Sequence, residues 1–217
     1  MRPPATGKTG RPGTGPRPAA FEGAGTAVRR EPTGKVARRS RTSPGTSPRS
    51  TRGQKDLLAR AAKIRLLLLD VDGVLTDGRL YYGTEGEVMK AFDVKDGHGI
   101  VLIREHVELG VISGRPGLAK KRLEELGFKH LVFAQRDKLA GYAELSHLGI
   151  TDSEVAYMGD DVNDLPLLAR VGLSACPADA LPEVLAAVHF VAASPGGRGA
   201  VRELCDLIRR AKGLLPS

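Results

Sequence analysis

The chain has 217 residues and a formal net charge of +8, enough length for one domain of ordinary size plus extra material. The charge invites a nucleic-acid reading, but twelve of the 33 Lys and Arg, against two of the 25 acids, fall within residues 1–54. From Lys55 onward the chain is about neutral, which excludes a basic nucleic-acid-binding body, and no apolar run is long enough to span a membrane.

Residues 1–54 also hold eight of the fourteen prolines, nine glycines and one aromatic residue, Phe21. Such a segment cannot bury enough apolar surface to offset the entropy of ordering, so a disordered tail is predicted. It has no apolar h-region of a secretory signal. Composition leaves open a solvated arm, a transit-peptide-like leader, an arm that brushes nucleic acid, or translation that starts further in, at Val28 or near Leu57. Residues 55–217 form the predicted folded domain, long enough for one well-filled core. Cys176 and Cys205 are far apart and lack metal-type spacing, and they read as reduced thiols of a cytoplasmic protein.

A short helical pattern from Asp56 to Ala62 leads into the apolar run Ile64 to Leu69, which stops abruptly at Asp70. That run reads as a central strand buried on both faces. Two short runs between Arg79 and Phe92, split by Gly83-Thr84-Glu85-Gly86, predict a β-hairpin. A helix is expected from Ile100 to Val107, a strand over Gly110 to Ile112, and a helix from Leu118 to Leu126 with Gly127 as its C-cap. Then follow a strand from His130 to Phe133, a helix from Lys138 to Leu148, a strand from Val155 to Met158 and a helix from Asp164 to Val171. Weaker β/α signals continue to Val191, and a last helix covers Ala200 to Lys212. Strands alternating with helices predict an α/β domain with a doubly wound parallel sheet, a hairpin insertion and no cap domain, since the intervals between strands are already full.

In such sheets, sites form beyond the carboxyl ends of the strands. Asp70 and Asp72 follow the first strand, Ser113, Gly114 and Arg115 the second, and Gly159, Asp160 and Asp161 a later one; Lys138 opens a helix between them. Residues two apart on a strand point to the same side, so Asp70 and Asp72 can reach one phosphate. One carboxylate can attack phosphorus while the other protonates the leaving oxygen and later activates water. The meeting of two anions calls for cations: Mg²⁺ on Asp70, Asp160 and a backbone carbonyl, and the Lys138 ammonium on the transferring group. Each fragment alone has a plainer explanation as a turn, a loop or a helix cap, and the weight lies in their order and placement. His98, His147 and His189 lack metal-ligand spacing and read as structural or surface residues.

Asp70-Val71-Asp72-Gly73-Val74-Leu75-Thr76-Asp77-Gly78, Ile112-Ser113-Gly114-Arg115, Lys138 and Gly159-Asp160-Asp161-Val162-Asn163-Asp164 resemble the four motifs of the haloacid dehalogenase-like superfamily, over about residues 63–212. The resemblance implies a Rossmann-like fold with Asp70 as nucleophile, Asp72 as acid/base, and Ser113 and Lys138 as phosphate binders. It implies Mg²⁺ held by Asp70, the Asp72 carbonyl and Asp160, with Asp161 and Asp164 behind them. An acid at position 72 favours phosphatase chemistry over that of the family's ATPases. The stretches Lys90 to Gly99 and Gly196 to Glu203 resemble the capless 3-deoxy-D-manno-octulosonate 8-phosphate phosphatases, which act in lipopolysaccharide precursor synthesis. That family forms homotetramers in which hairpins pack together and neighbouring chains complete each site.

The same resemblance implies a sugar-acid pocket lined by Asp72, Asp93, Val94, Lys95, Asp96, Gly97, Arg115, Arg122 and Lys138. Val101 stands where the family usually has Arg or Lys, and Lys95 where Arg is common. The implied reaction is hydrolysis of a small sugar-acid phosphate, 3-deoxy-D-manno-octulosonate 8-phosphate, to the free sugar acid and phosphate through an aspartyl-phosphate. The rival readings are a phosphatase for a nine-carbon sialic-type acid 9-phosphate and a non-catalytic regulatory protein whose tail binds nucleic acid. Four intact catalytic positions argue against the second.

Overall fold

A computed structural model describes residues 51–215. The predicted tail lies outside them except for its last four residues, which begin a helix. Helix α1 spans Thr51–Ala62 and is anchored by Leu57 and Ala61 in the core. Once nucleated by that contact, a helix extends upstream at little cost, here through the exposed Gln54 to Asp56.

Six strands form one parallel sheet in the order β5-β4-β1-β6-β7-β8: β1 Leu66–Leu69, β4 Glu108–Ile112, β5 His130–Val132, β6 Val155–Met158, β7 Leu173–Cys176 and β8 Phe190–Val191. A separate antiparallel pair, β2 Tyr81–Gly83 and β3 Gly86–Met89, is the expected hairpin. The side chains of β1 alternate between two cores. Leu67 and Leu69 pack with α1, α2 (Val94–Ile103), α3 (Lys120–Leu126) and α7 (Ala200–Ala211); Leu66 and Leu68 pack with α4 (Lys138–Ala143), α5 (Leu165–Leu168) and α6 (Pro182–Ala187). Four leucines in a row serve because both faces of a parallel sheet are covered. Cys176 and Cys205 are free and buried, and burial pushes the Cys176 thiol up to about 12.

Several helices end or begin where the sequence signals put them. Gly127 caps α3 in the left-handed conformation (φ 92°), and α4 begins at Lys138, behind an Asp137 side chain that accepts from Leu139 N–H (2.9 Å) and Ala140 N–H (3.2 Å). The helix expected from Ile100 instead starts at Val94. Its N-cap is Asp93, whose carboxylate accepts from Lys95 N–H at 2.6 Å. Gly97 and Gly99 hide this helix from propensity reasoning. They are small because the Arg122 guanidinium lies over Gly97 and the Arg202 side chain over Gly99. Val101 is partly buried against the core.

Candidate active site

The carboxyl ends of β1, β4 and β6 lie level, with Leu69 beside Val111 on one side and Met158 on the other. The residues that follow those strands therefore meet at one edge of the sheet. They line a pocket of about 270 Å³ whose walls include Asp70, Asp72, Ser113, Arg115, Asp160 and Asp161.

Asp70 sits at its base, 8% exposed. One carboxylate oxygen accepts from Val71 N–H (2.7 Å) and the other pairs with Lys138 Nζ (2.7 Å). Lys138 is 1% exposed; its ammonium also donates to the Ile112 carbonyl (2.8 Å) and pairs with Asp164 Oδ1 (3.2 Å). Asp164, fully buried, accepts from Tyr157 O–H at 2.5 Å and from the N–H groups of Asp160 (3.0 Å) and Asp161 (3.1 Å). Both of its oxygens are thus engaged in holding the lysine and the Asp160 loop.

After β1 the chain makes a wide turn closed by Thr76 N–H to the Val71 carbonyl (3.0 Å), with Asp72 extended and Gly73 left-handed (φ 82°). Any Cβ at Gly73 would collide with the Asp160 carboxylate, so the glycine serves as the floor on which that carboxylate rests. Carboxylate oxygens of Asp70, Asp160 and Asp164 lie within 4.8 Å of one another. Burial, then the neighbouring Asp164, Asp70 and Asp161, push Asp160 up to about 8. Burial raises Asp70 to about 6, with Lys138 pulling the other way. Among the described residues no Lys or Arg side chain forms an ion pair with Asp160, so the cluster has more negative charge than its one lysine offsets. Hard oxygen donors with that excess suit a hard divalent cation such as Mg²⁺.

Asp72 faces the hairpin. Its Oδ1 pairs with Lys90, and its Oδ2 lies 3.6 Å from Arg115 Nε, without a hydrogen-bond partner. Lys90 (side chain 3% exposed) and Arg115 are themselves joined by Glu87, at 2.7 and 3.0 Å. Burial works against the Glu87 anion, yet the hydrogen bonds from Lys90 and Arg115 win and hold its carboxyl below the usual range. Lys90 and Glu87 were not among the residues expected from the sequence to line the site. Their one local signal is an acid and a lysine three apart at the end of a hairpin strand.

The edge thus gathers Asp70, Asp72, Ser113, Arg115, Lys138, Asp160, Asp161 and Asp164. It does not gather the rest of the expected sugar pocket. Asp93 to Gly97 form the first turn of α2, where Asp93 is a cap and Asp96 is buried. Asp96 accepts from Gly199 N–H (3.1 Å) and Arg202 N–H (2.7 Å) at the start of α7, whose own N-cap is a side-chain-less glycine. Arg122 lies against Gly97 and pairs with Glu125 at 3.3 Å. None of this second group lines the pocket.

Comparison with known proteins places the chain in a family. The haloacid dehalogenase-like hydrolase family matches residues 127–204, which include Lys138 and Asp160. The 3-deoxy-D-manno-octulosonate 8-phosphate phosphatase KdsC of Yersinia pestis is 49% identical over 163 residues, covering 74% of this chain and 87% of the relative. The chain belongs to this phosphatase family. The crystal structure of the family's Yersinia pestis phosphatase superposes with a TM-score of 0.71 at 48% identity, covering 74% of this chain and 88% of that one. A second family structure, from Moraxella catarrhalis, was solved in complex with a magnesium ion, a phosphate ion and a KDO molecule. It is 36% identical, with a TM-score of 0.71 over 73% of this chain and 93% of that one. Among the described residues no helix is long and apolar enough to cross a membrane.

Proposed function

We propose that this chain hydrolyses 3-deoxy-D-manno-octulosonate 8-phosphate to the free sugar acid and phosphate through an aspartyl-phosphate on Asp70. The observation that carries the reading is a buried carboxylate, Asp70, paired at 2.7 Å with a buried lysine at the base of an open pocket. A carboxylate oxygen of Asp70 attacks phosphorus as the bond to the sugar oxygen breaks, and Asp72 gives its proton to that oxygen. Asp72 then takes a proton from water, whose oxygen attacks phosphorus; the bond to Asp70 breaks and phosphate leaves. The otherwise unpartnered Asp72 Oδ2 is the atom suited to carry the proton. Lys138 and the Ser113 hydroxyl bind the phosphoryl oxygens as negative charge moves across them.

Mg²⁺ held by Asp70, Asp160 and the Asp72 carbonyl would supply the positive charge that lets two anions meet. Asp161 and Asp164 act behind these ligands, Asp164 by fixing Lys138 and the loop. The protein works in the cytoplasm as a homotetramer. Val94, 78% exposed, and the exposed Lys95 belong to a group that does not line its own pocket and is free to complete a neighbour's. Phosphate release from a panel of sugar-acid phosphates, with and without Mg²⁺, tests the reading. The eight-carbon 8-phosphate should be the preferred substrate, and chelation should silence the reaction. Equal rates in excess chelator would sink the metal assignment.

A further inference from the structure

Tyr157 is fully buried on β6, an inner strand, beside Leu68 of β1 and Ser174 of β7. It belongs to the same core as Leu66 and Leu68. A phenylalanine would fill that space without a hydroxyl to take out of water, so the hydroxyl is what needs explaining. It donates to Asp164 Oδ1 at 2.5 Å. Burial, then the charges of Asp164 and Asp70, push its ionisation well above the ordinary tyrosine range, so it stays a donor. Tyr157 does not line the pocket, and the mechanism above gives it no part.

Asp164 Oδ1 has a second claimant. Lys138 Nζ lies 3.2 Å from it and 2.7 Å from Asp70 Oδ2. Two buried carboxylates thus compete for one ammonium, and the lysine stands nearer the one at the base of the pocket. Burial alone does not favour Asp70: Asp164 is the deeper of the two, and charges attract more strongly away from water. The Tyr157 O–H offsets that advantage, because its hydrogen bond draws on the negative charge of Oδ1. The other oxygen of Asp164 is taken by Asp160 N–H (3.0 Å) and Asp161 N–H (3.1 Å), so the carboxylate is held from both sides. A second buried tyrosine, Tyr142, makes a like bond to Asp152 (2.8 Å), but there the carboxylate pairs with Arg170 and no group of the site is involved.

We propose that Tyr157 is a positioning residue: its hydroxyl restrains Asp164 so that Lys138 stays committed to Asp70 and to the transferring phosphoryl group. This rests on the phosphatase reading above. Without the hydroxyl, Asp164 Oδ1 would keep Lys138 as its one partner and draw it away from the base of the pocket. The ammonium would then be misplaced as negative charge builds on the phosphoryl oxygens. That loss falls on the transition state and not on the binding of the sugar.

The test is steady-state kinetics of the full chain on 3-deoxy-D-manno-octulosonate 8-phosphate at saturating Mg²⁺, at a temperature where circular dichroism shows the wild type folded. Tyr157→Phe should lower kcat about tenfold and leave KM within about twofold. Tyr142→Phe removes a like hydrogen bond far from the reaction and should keep the wild-type kcat. Unchanged kcat in Tyr157→Phe, a rise in KM alone, or an equal fall of kcat in both variants would overturn the positioning role. A Tyr157→Phe chain that fails to fold would overturn it too, by making the hydroxyl a structural group. A wild type that turns over only other phosphate monoesters would overturn the sugar assignment alone, and the variants are then compared on the monoester it prefers. A wild type inert on every monoester would overturn the phosphatase reading, and the role of Tyr157 with it.

Discussion

The sheet edge and the hairpin are built on opposite terms. At the edge, Lys138 is buried between Asp70 and Asp164, and each polar atom of that trio is held by the backbone or by another member. Burying three charges is costly and is poor evidence of stability, so the arrangement points to chemistry that needs fixed charges. The hairpin buries its polar residues, Glu87 and Lys90, and exposes its apolar ones: Tyr82 is 64% exposed, Val88 63% and Met89 52%. An isolated two-stranded hairpin with such a surface is not a stable end state in water. The contrast suits the proposed division of labour, in which one chain carries the groups for phosphoryl transfer and a neighbouring chain encloses the substrate.

The largest effect should come from the edge. Asp70→Asn should cut phosphate release by about three orders of magnitude or more, since an amide is a poor nucleophile. The fold should survive, because the variant removes a charge that burial disfavours. Circular dichroism and a phosphate assay on the same sample decide this, and near-wild-type release would remove Asp70 from the mechanism.

Next comes the hairpin. Val88→Asp with Met89→Asp places charges on the exposed apolar face without touching a group of the pocket. We expect the proposed tetramer to dissociate in light scattering and activity to fall about tenfold or more, as neighbouring chains would no longer close the site. A wild-type monomer with full activity at assay concentration would refute the comparison at its root.

Lys90 joins the two regions, and its loss should have a middling effect. Lys90→Met leaves Asp72 and Glu87 with Arg115 as their remaining shared cation and loosens the proposed acid/base from its fixed position. The expected drop in kcat is about tenfold, with KM little changed and Lys90→Arg partly active. Unchanged kcat would mean that Asp72 holds its place without the hairpin.

The edge was legible in the sequence and the hairpin contacts were not, for a physical reason. Asp70, Ser113 and Asp160 each follow an apolar run, and a parallel sheet brings the ends of such runs together whatever lies between them. Lys138 needed only the start of a helix after β5. Lys90 reaches Asp72 because the hairpin folds back, a long-range event without a period or a cap to announce it. Asp96 sits in a segment whose resemblance implied substrate binding, yet within the chain it fastens α2 to α7. The start of α2 was hidden by two glycines whose role is close packing, and tertiary contact overrode propensity there.

The smallest effect tests the charge balance of the edge through pH. In the metal-free protein burial and like charge raise Asp160 to about 8, and burial raises Asp70 to about 6, above their ordinary value of 3.8. A carboxyl whose pKa is raised by folding favours the folded state while it is protonated. That contribution is full below about pH 4 and is lost as pH climbs through 6 and then 8. Metal-free protein should therefore melt a few degrees lower at pH 8 than at pH 6. Mg²⁺ binds the ionised carboxylates and must displace their protons, so its affinity and its stabilisation should both grow over the same interval. Thermal melts at the two pH values with and without Mg²⁺ measure this directly: the Mg²⁺-induced rise in Tm should be larger at pH 8. An equal rise at both values would mean that Asp160 and Asp70 are already ionised at pH 6, and the edge would then be less charge-starved than its geometry indicates.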